Sequence, residues 1–119
     1  MSDAKDGLFA ELAVVGKAFG SAKRLELVDL LAQGERTVES LARAADMGVS
    51  TVSAHLQVLK SSNLVRTRRD GTRVYYRLAG DDVVALYGAM LTVARTRSAT
   101  WSRRWRPTSA FQAQVRSTS

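Results

Sequence analysis

Residues 49–78, VSTVSAHLQVLKSSNLVRTRRDGTRVYYRL, decide the fold. Over the first part of this stretch Val49, Val52, Leu56 and Leu59 fall within one narrow arc at about 100° per residue, the spacing of a helix with one apolar stripe. The opposite arc holds Ser50, Ala54, Gln57 and Ser61, with Thr51 and Val58 flanking it. An ordinary surface helix would place Glu and Lys there. Small, uncharged, hydrogen-bonding residues suit a face that enters the major groove of DNA, where acids would repel phosphate and bulk would block approach. Ser50 is the expected N-cap, and Asn63 can take the left-handed conformation that closes a helix. Two strands are expected next, Leu64–Arg69 and Arg73–Leu78. In the second, Val74, Tyr76 and Leu78 alternate with Arg73, Tyr75 and Arg77, a period of two. Asp70 and Gly71 read as the central residues of a type I′ turn, both of which need φ > 0. A slim helix followed at once by a basic hairpin is the outline of a winged helix, and it points to DNA.

Working outward, Leu8, Leu12, Val15 and Phe19 predict a helix over residues 8–19, broken at Gly20-Ser21. Ser21 can cap a second helix through about Ala32, apolar on more than one side and so expected in the core; Gly34 ends it. Thr37 can cap a short third helix with Val38, Leu41, Ala42 and Ala45 inward, and Glu39 suits its positive first turn. Asp46-Met47-Gly48 then makes a tight turn, completing a helix-turn-helix. A last helix starts at Asp81 or Asp82 and bears two apolar stripes: Val83, Leu86, Met90 and Val93 on one, Val84, Tyr87 and Leu91 on the next. One stripe can cover the domain. The second needs a partner, and a second copy fits, so Leu8, Leu12, Val15, Val84, Tyr87 and Leu91 are the expected dimer interface. The fold class is mainly α with a small β part (α+β): a winged helix-turn-helix of four helices, two strands and a fifth helix, dimeric through the first and last helices. It is expected to occupy residues 1–96. From 97 to 119 the periodicity stops and Ser, Thr and Arg dominate, which reads as a basic mobile tail.

The chain has 119 residues and a formal net charge of +7. That charge is unevenly placed. Residues 49–78 carry Lys60, Arg66, Arg68, Arg69, Arg73 and Arg77 against Asp70, whereas the flanking helices are net acidic. A basic block on one supersecondary unit is the footprint of a polyanion partner. There are no cysteines and one histidine, which excludes disulfides and thiolate metal sites within one copy. No apolar run reaches the ~20 residues of a membrane helix. The N-terminal MSDAKDGLFAELAVV has acids where a secretory signal would be basic, so a cytoplasmic chain is expected. With no cysteine, no second histidine for a relay and no phosphate-binding glycine loop (GKAFGS lacks that spacing), an enzyme is the weakest reading.

The ordered set Ser50, Val52, Ser53, His55-Leu56, Leu59, Asn63-Leu64-Val65, Arg69, Gly71, Tyr76 and Leu78 resembles the ArsR/SmtB family of bacterial winged-helix repressors, over roughly residues 8–95. The resemblance implies a homodimeric repressor that binds double-stranded operator DNA and lets go when an inducer binds. Many members sense metals. Here the segment matching their thiolate site, Thr37-Val38-Glu39-Ser40-Leu41, holds no soft ligand, and the last helix has Asp81 and Asp82 but no histidine. No metal and no cofactor are therefore expected, and the inducer would be a small molecule other than a metal. Ser50 and Thr51 are expected near a phosphate at the helix N-terminus. Ser53 and Gln57 are candidates for base edges or phosphate, and Ala54, often a larger polar residue in the family, for contact with a thymine methyl. His55 reads as a positioning residue that can also meet phosphate, and Lys60 as a backbone contact. Arg68, Arg69 and Arg73 are the strongest candidates, by phosphate neutralisation or minor-groove insertion. The competing reading is a winged helix used only to bind another protein.

Overall fold

The structure, a computed structural model, describes residues 2–98. In chain order the elements are α1 (Ser2–Ala18), α2 (Ala22–Leu31), β1 (Arg36–Thr37), α3 (Val38–Ala45), α4 (Val49–Ser61), β2 (Val65–Asp70), β3 (Arg73–Leu78) and α5 (Asp81–Arg97). The strands form one antiparallel sheet in the order β1-β3-β2. The expected tail lies outside the described residues from 99 onward; Arg97, placed with it, is the last residue of α5. Among the described residues no helix is long and apolar enough to cross a membrane.

The caps explain where the helices start and stop. The Ser21 hydroxyl accepts from the Arg24 amide at 3.3 Å, and Thr37 Oγ1 from the Ser40 amide at 3.1 Å, each satisfying an amide that the helix leaves open. α3 closes with Asp46 at φ 53°, and α4 is followed by Asn63 at φ 62°. At the second of these the Leu64 amide reaches back to the Leu59 carbonyl (2.9 Å) and Asn63 to Lys60 (3.0 Å). That is a Schellman closure with asparagine in glycine's usual place, and it turns the chain from α4 straight into β2.

Leu27 and Val28 from α2, Leu41 from α3, and Val52, Leu56 and Leu59 from α4 are fully buried and form the centre of the core. Each such side chain contributes about 1.5–3 kcal/mol by leaving water, so the helix-turn-helix is a rigid platform. Leu64, Val65 and Leu78 close the sheet onto it, and Val83, Val84 and Tyr87 bring α5 against the same core.

Several expectations are corrected. α1 begins at Ser2 rather than near Leu8. β1 is an added strand: Arg36 pairs with Tyr76 and Thr37 with Tyr75, and two residues are too few to show a period of two. α4 begins at Val49 with Gly48 as N-cap and no side-chain cap, so Ser50 sits inside the first turn and caps nothing. Val49, expected in the core, is the first residue of α4 and is 49% exposed. The hairpin turns through Gly71 and Thr72, since Asp70 pairs with Arg73. Of these two only Gly71 has positive φ, 63°, the glycine-first pattern of a type II′ turn rather than type I′.

Val84 and Tyr87 are also corrected. Both are buried in the protomer's own core, and the Tyr87 hydroxyl donates to Asp29 Oδ1 at 3.1 Å. Leu91 and Val15 are half-buried against that core. On these two helices the exposed large apolar side chains are Leu8, Phe9, Leu12 and Val14 on α1 and Leu86 and Val93 on α5. Every residue from 3 to 14 is exposed, so α1 meets the protomer through Val15 and Ala18 near its C-terminal end, with Phe19 just beyond it buried as well. On α5 the buried side is thus made of Val83, Val84, Tyr87 and Gly88, with Met90 and Leu91 partly buried beside them, so the protomer uses the second expected stripe and only part of the first.

Candidate nucleic-acid interface

Burial of Val52, Leu56 and Leu59 fixes the rotation of α4 and leaves Ser50, Thr51, Ser53, Ala54, Gln57 and Lys60 on its open face, all exposed. No acid lies on this helix, and Lys60 is in its last turn. With no side-chain cap at Gly48, the first amides of α4 stay open to an oxygen ligand at the positive end of the helix dipole.

His55 is half-buried at the margin of that face. Its Nδ1 lies 3.5 Å from Arg24 Nη1. Partial burial, then the Arg24 and Lys23 charges, lower its pKa below the ordinary histidine value. Arg24 itself clamps the end of α1, its Nε donating to the Ala18 carbonyl at 2.7 Å and Nη2 to that of Lys17 at 3.0 Å. This guanidinium joins α1, α2 and α4, and sequence reasoning missed it. A signal was present: a cation in the first turn of α2 opposes the helix dipole and so calls for another partner, here the carbonyls of α1.

Alternation along the hairpin sorts its arginines by face. Val65, Thr67 and Arg69 share one side with Leu78, Tyr76 and Val74; Arg66, Arg68 and Asp70 share the other with Arg77, Tyr75 and Arg73. Near the tip, Arg69 and Arg73 are thus exposed on opposite faces. Among the described residues neither is ion-paired.

Arg68 differs from what its sequence position suggests. Its Nε donates to both oxygens of Glu35, at 2.8 and 3.0 Å, and its guanidinium lies 4.5 Å from the centroid of the Tyr75 ring. The hydrogen bond to Arg68 holds the Glu35 carboxyl below its ordinary pKa. Arg68 therefore already has a counter-anion, unlike Arg69 and Arg73.

The start of α3 is occupied structurally. Thr37 caps it and Arg36 Nη1 donates to Ser40 Oγ at 3.1 Å. A cleft of about 600 Å³ opens between this end and β3, with Glu39, Arg43, Arg73 and Tyr76 on its walls. Among the described residues no group of three or more His, Cys, Asp or Glu side chains is placed to hold a metal.

The family model "bacterial regulatory protein, arsR family" matches residues 21–67, from the N-cap of α2 into β2. The chain is 53% identical over 93 residues to the HTH-type transcriptional regulator Rv0324 of Mycobacterium tuberculosis, covering 78% of this chain and 41% of that protein. It is 36% identical to a biofilm growth-associated repressor of Agrobacterium fabrum, over 70% of this chain and 71% of that one. The chain therefore spans less than half of Rv0324 and most of the Agrobacterium protein. Among solved structures it resembles the homodimeric winged helix-turn-helix DNA-binding domain (fragment 1–100) of Mb0332 from Mycobacterium bovis, with TM-score 0.75 and 52% identity, over 79% of this chain and 87% of that one.

Proposed function

The chain belongs to the ArsR family of bacterial regulatory proteins, and from that premise we propose that it is a homodimeric transcriptional repressor of double-stranded operator DNA. The observation that carries the reading is the acid-free open face of α4, which runs through Asn63 directly into a hairpin with exposed Arg69 and Arg73 at its tip. Ser50, Thr51, Ser53, Ala54 and Gln57 would meet base edges and phosphates in the major groove. Lys60 would meet the backbone. A tip with one arginine on each face is suited to the two phosphate walls of an adjacent minor groove. His55 would set the angle of α4 through Arg24.

A second copy is supported by α1. Leu8, Phe9 and Leu12 are 59%, 59% and 54% exposed on a 17-residue helix in which every residue from 3 to 14 is exposed. Such a helix is marginal alone in water, and an exposed apolar patch of this kind marks an association surface. Leu86 and Val93 on α5 would join it in place of Val84 and Tyr87. Release would follow a small molecule other than a metal, given the donors present at the start of α3 and along α5.

The test is duplex binding by fluorescence anisotropy, using DNA from upstream of the chain's own gene, between 50 and 200 mM salt. Log affinity should fall linearly with log salt, by about 0.9 per neutralised phosphate. Absence of duplex binding, or binding indifferent to salt, would refute the proposal and favour a protein-binding winged helix.

A further inference from the structure

We propose that Arg68 is a positioning residue that clips the wing to the body of the protein through Glu35, rather than one of the residues that contact DNA. The inference rests on the DNA-binding reading above and refines it.

The geometry spans all three strands. Glu35 stands just before β1, Tyr75 is on the central strand β3, and Arg68 is on β2 directly opposite Tyr75. The carboxylate of Glu35 thus reaches across β3 to Arg68, and the aromatic ring lies under the guanidinium that it holds. Gly34, at φ 142°, gives the chain the turn that brings Glu35 to this edge, a conformation open mainly to glycine. A planar guanidinium can take both carboxylate oxygens and stack on the ring together, which lysine cannot.

Two consequences follow. A two-stranded hairpin alone is a poor rigid body, and β1 contributes only two residues of pairing to it. The clip adds a side-chain tie between the α2–β1 turn and the far strand, which fixes the direction in which Arg69 and Arg73 are presented. A phosphate that recruited Arg68 would have to displace a carboxylate already bound at 2.8 and 3.0 Å. The exchange of one anion for another returns little, so Arg68 adds little to the wing's affinity for polyanions.

The experiment compares the full chain with Arg68→Gln, Arg68→Lys, Glu35→Gln and the exchange Glu35→Arg with Arg68→Glu. Arg69→Gln with Arg73→Gln serves as the phosphate control. Duplex affinity is measured from 50 to 200 mM salt, and amide hydrogen exchange of β2 and β3 is measured without DNA. Arg68→Gln and Glu35→Gln should each weaken binding by about two- to fivefold at every salt, the scale of an exposed ion pair, with the salt slope unchanged. Both should speed hairpin exchange. The charge exchange should recover both readouts, and Arg68→Lys should not. The control should flatten the slope. Flattening by Arg68→Gln, tighter and steeper binding by Glu35→Gln, or an Arg68→Gln affinity equal to the parent's would overturn the inference. A parent that ignores duplex DNA would sink the DNA reading alone; hydrogen exchange would still decide the clip, and unchanged hairpin exchange in both single variants would overturn it.

Discussion

Replacing Arg69 and Arg73 together by alanine isolates the charge that the wing tip would supply. Both side chains are exposed, on opposite faces of the hairpin, and unpaired among the described residues. Neither is a core residue, so the fold should survive. In a dimer the change removes four arginines. If each neutralises one phosphate, the slope of log affinity against log salt should flatten by about 3.6, at about 0.9 per phosphate. Between 50 and 200 mM salt the gap between parent and variant should then narrow by about 150-fold. The assay is a duplex titration at four or five salt concentrations, with thermal melts of both proteins alongside. Parallel salt lines for parent and variant would show that these arginines meet no phosphate. A variant that no longer folds would show that they had been assigned the wrong role altogether.

Other outcomes follow from single residues. Asn63→Ala places a Cβ-bearing residue without a polar side chain at φ 62°, and chemical denaturation should show a loss of about 1 kcal/mol. Asn63→Gly should cost nothing, and equal losses for the two would mean that the left-handed turn is not what Asn63 supplies. Phe9→Glu with Leu12→Glu should convert the dimer to monomer in sedimentation velocity, because two charges per copy would be buried without partners; an unchanged dimer would remove α1 from the interface. Asp29, half-buried against Tyr87, has its pKa raised chiefly by burial. A raised carboxyl pKa means that the ionised form is disfavoured in the fold, so this group's contribution improves as pH falls. Asp29→Asn, which keeps an acceptor for Tyr87, should melt no lower than the parent at pH 7 and converge with it as pH drops through the carboxylate range; a variant clearly less stable at pH 7 would contradict this. Treatment with a chelator should leave duplex binding unchanged, and operator release on chelation would show a metal sensor.

Much of the architecture was legible because it rests on short-range rules. The caps at Ser21 and Thr37, the left-handed Asn63 and the buried set Val52, Leu56 and Leu59 each follow from residues within a few positions of one another. The start of α4 was misplaced by the same rules. Ser50 is a good cap by type, but the left-handed Asp46 and the backbone of Gly48 set the helix going two residues earlier than a Ser50 cap would. In the candidate interface the open face of α4 was readable from its composition. The partner of Arg68 was not, since Glu35 lies 33 positions away and only the strand order β1-β3-β2 brings it there.

The sequence by itself determined the types of the helices and of the two hairpin strands, the rotation of α4 about its axis and the concentration of positive charge on the hairpin, because periodicity and composition act locally. Only the tertiary structure decided which apolar stripes a protomer uses for itself. Val84 and Tyr87 are covered by the protomer's own α2 and sheet, whereas Leu8, Phe9, Leu12, Leu86 and Val93 remain open. Only the tertiary structure separated Arg68 from Arg69 and Arg73 as well. Neighbouring arginines look alike in a string of letters, and the charge available to a ligand depends on which distant carboxylate the fold has already placed beside each one.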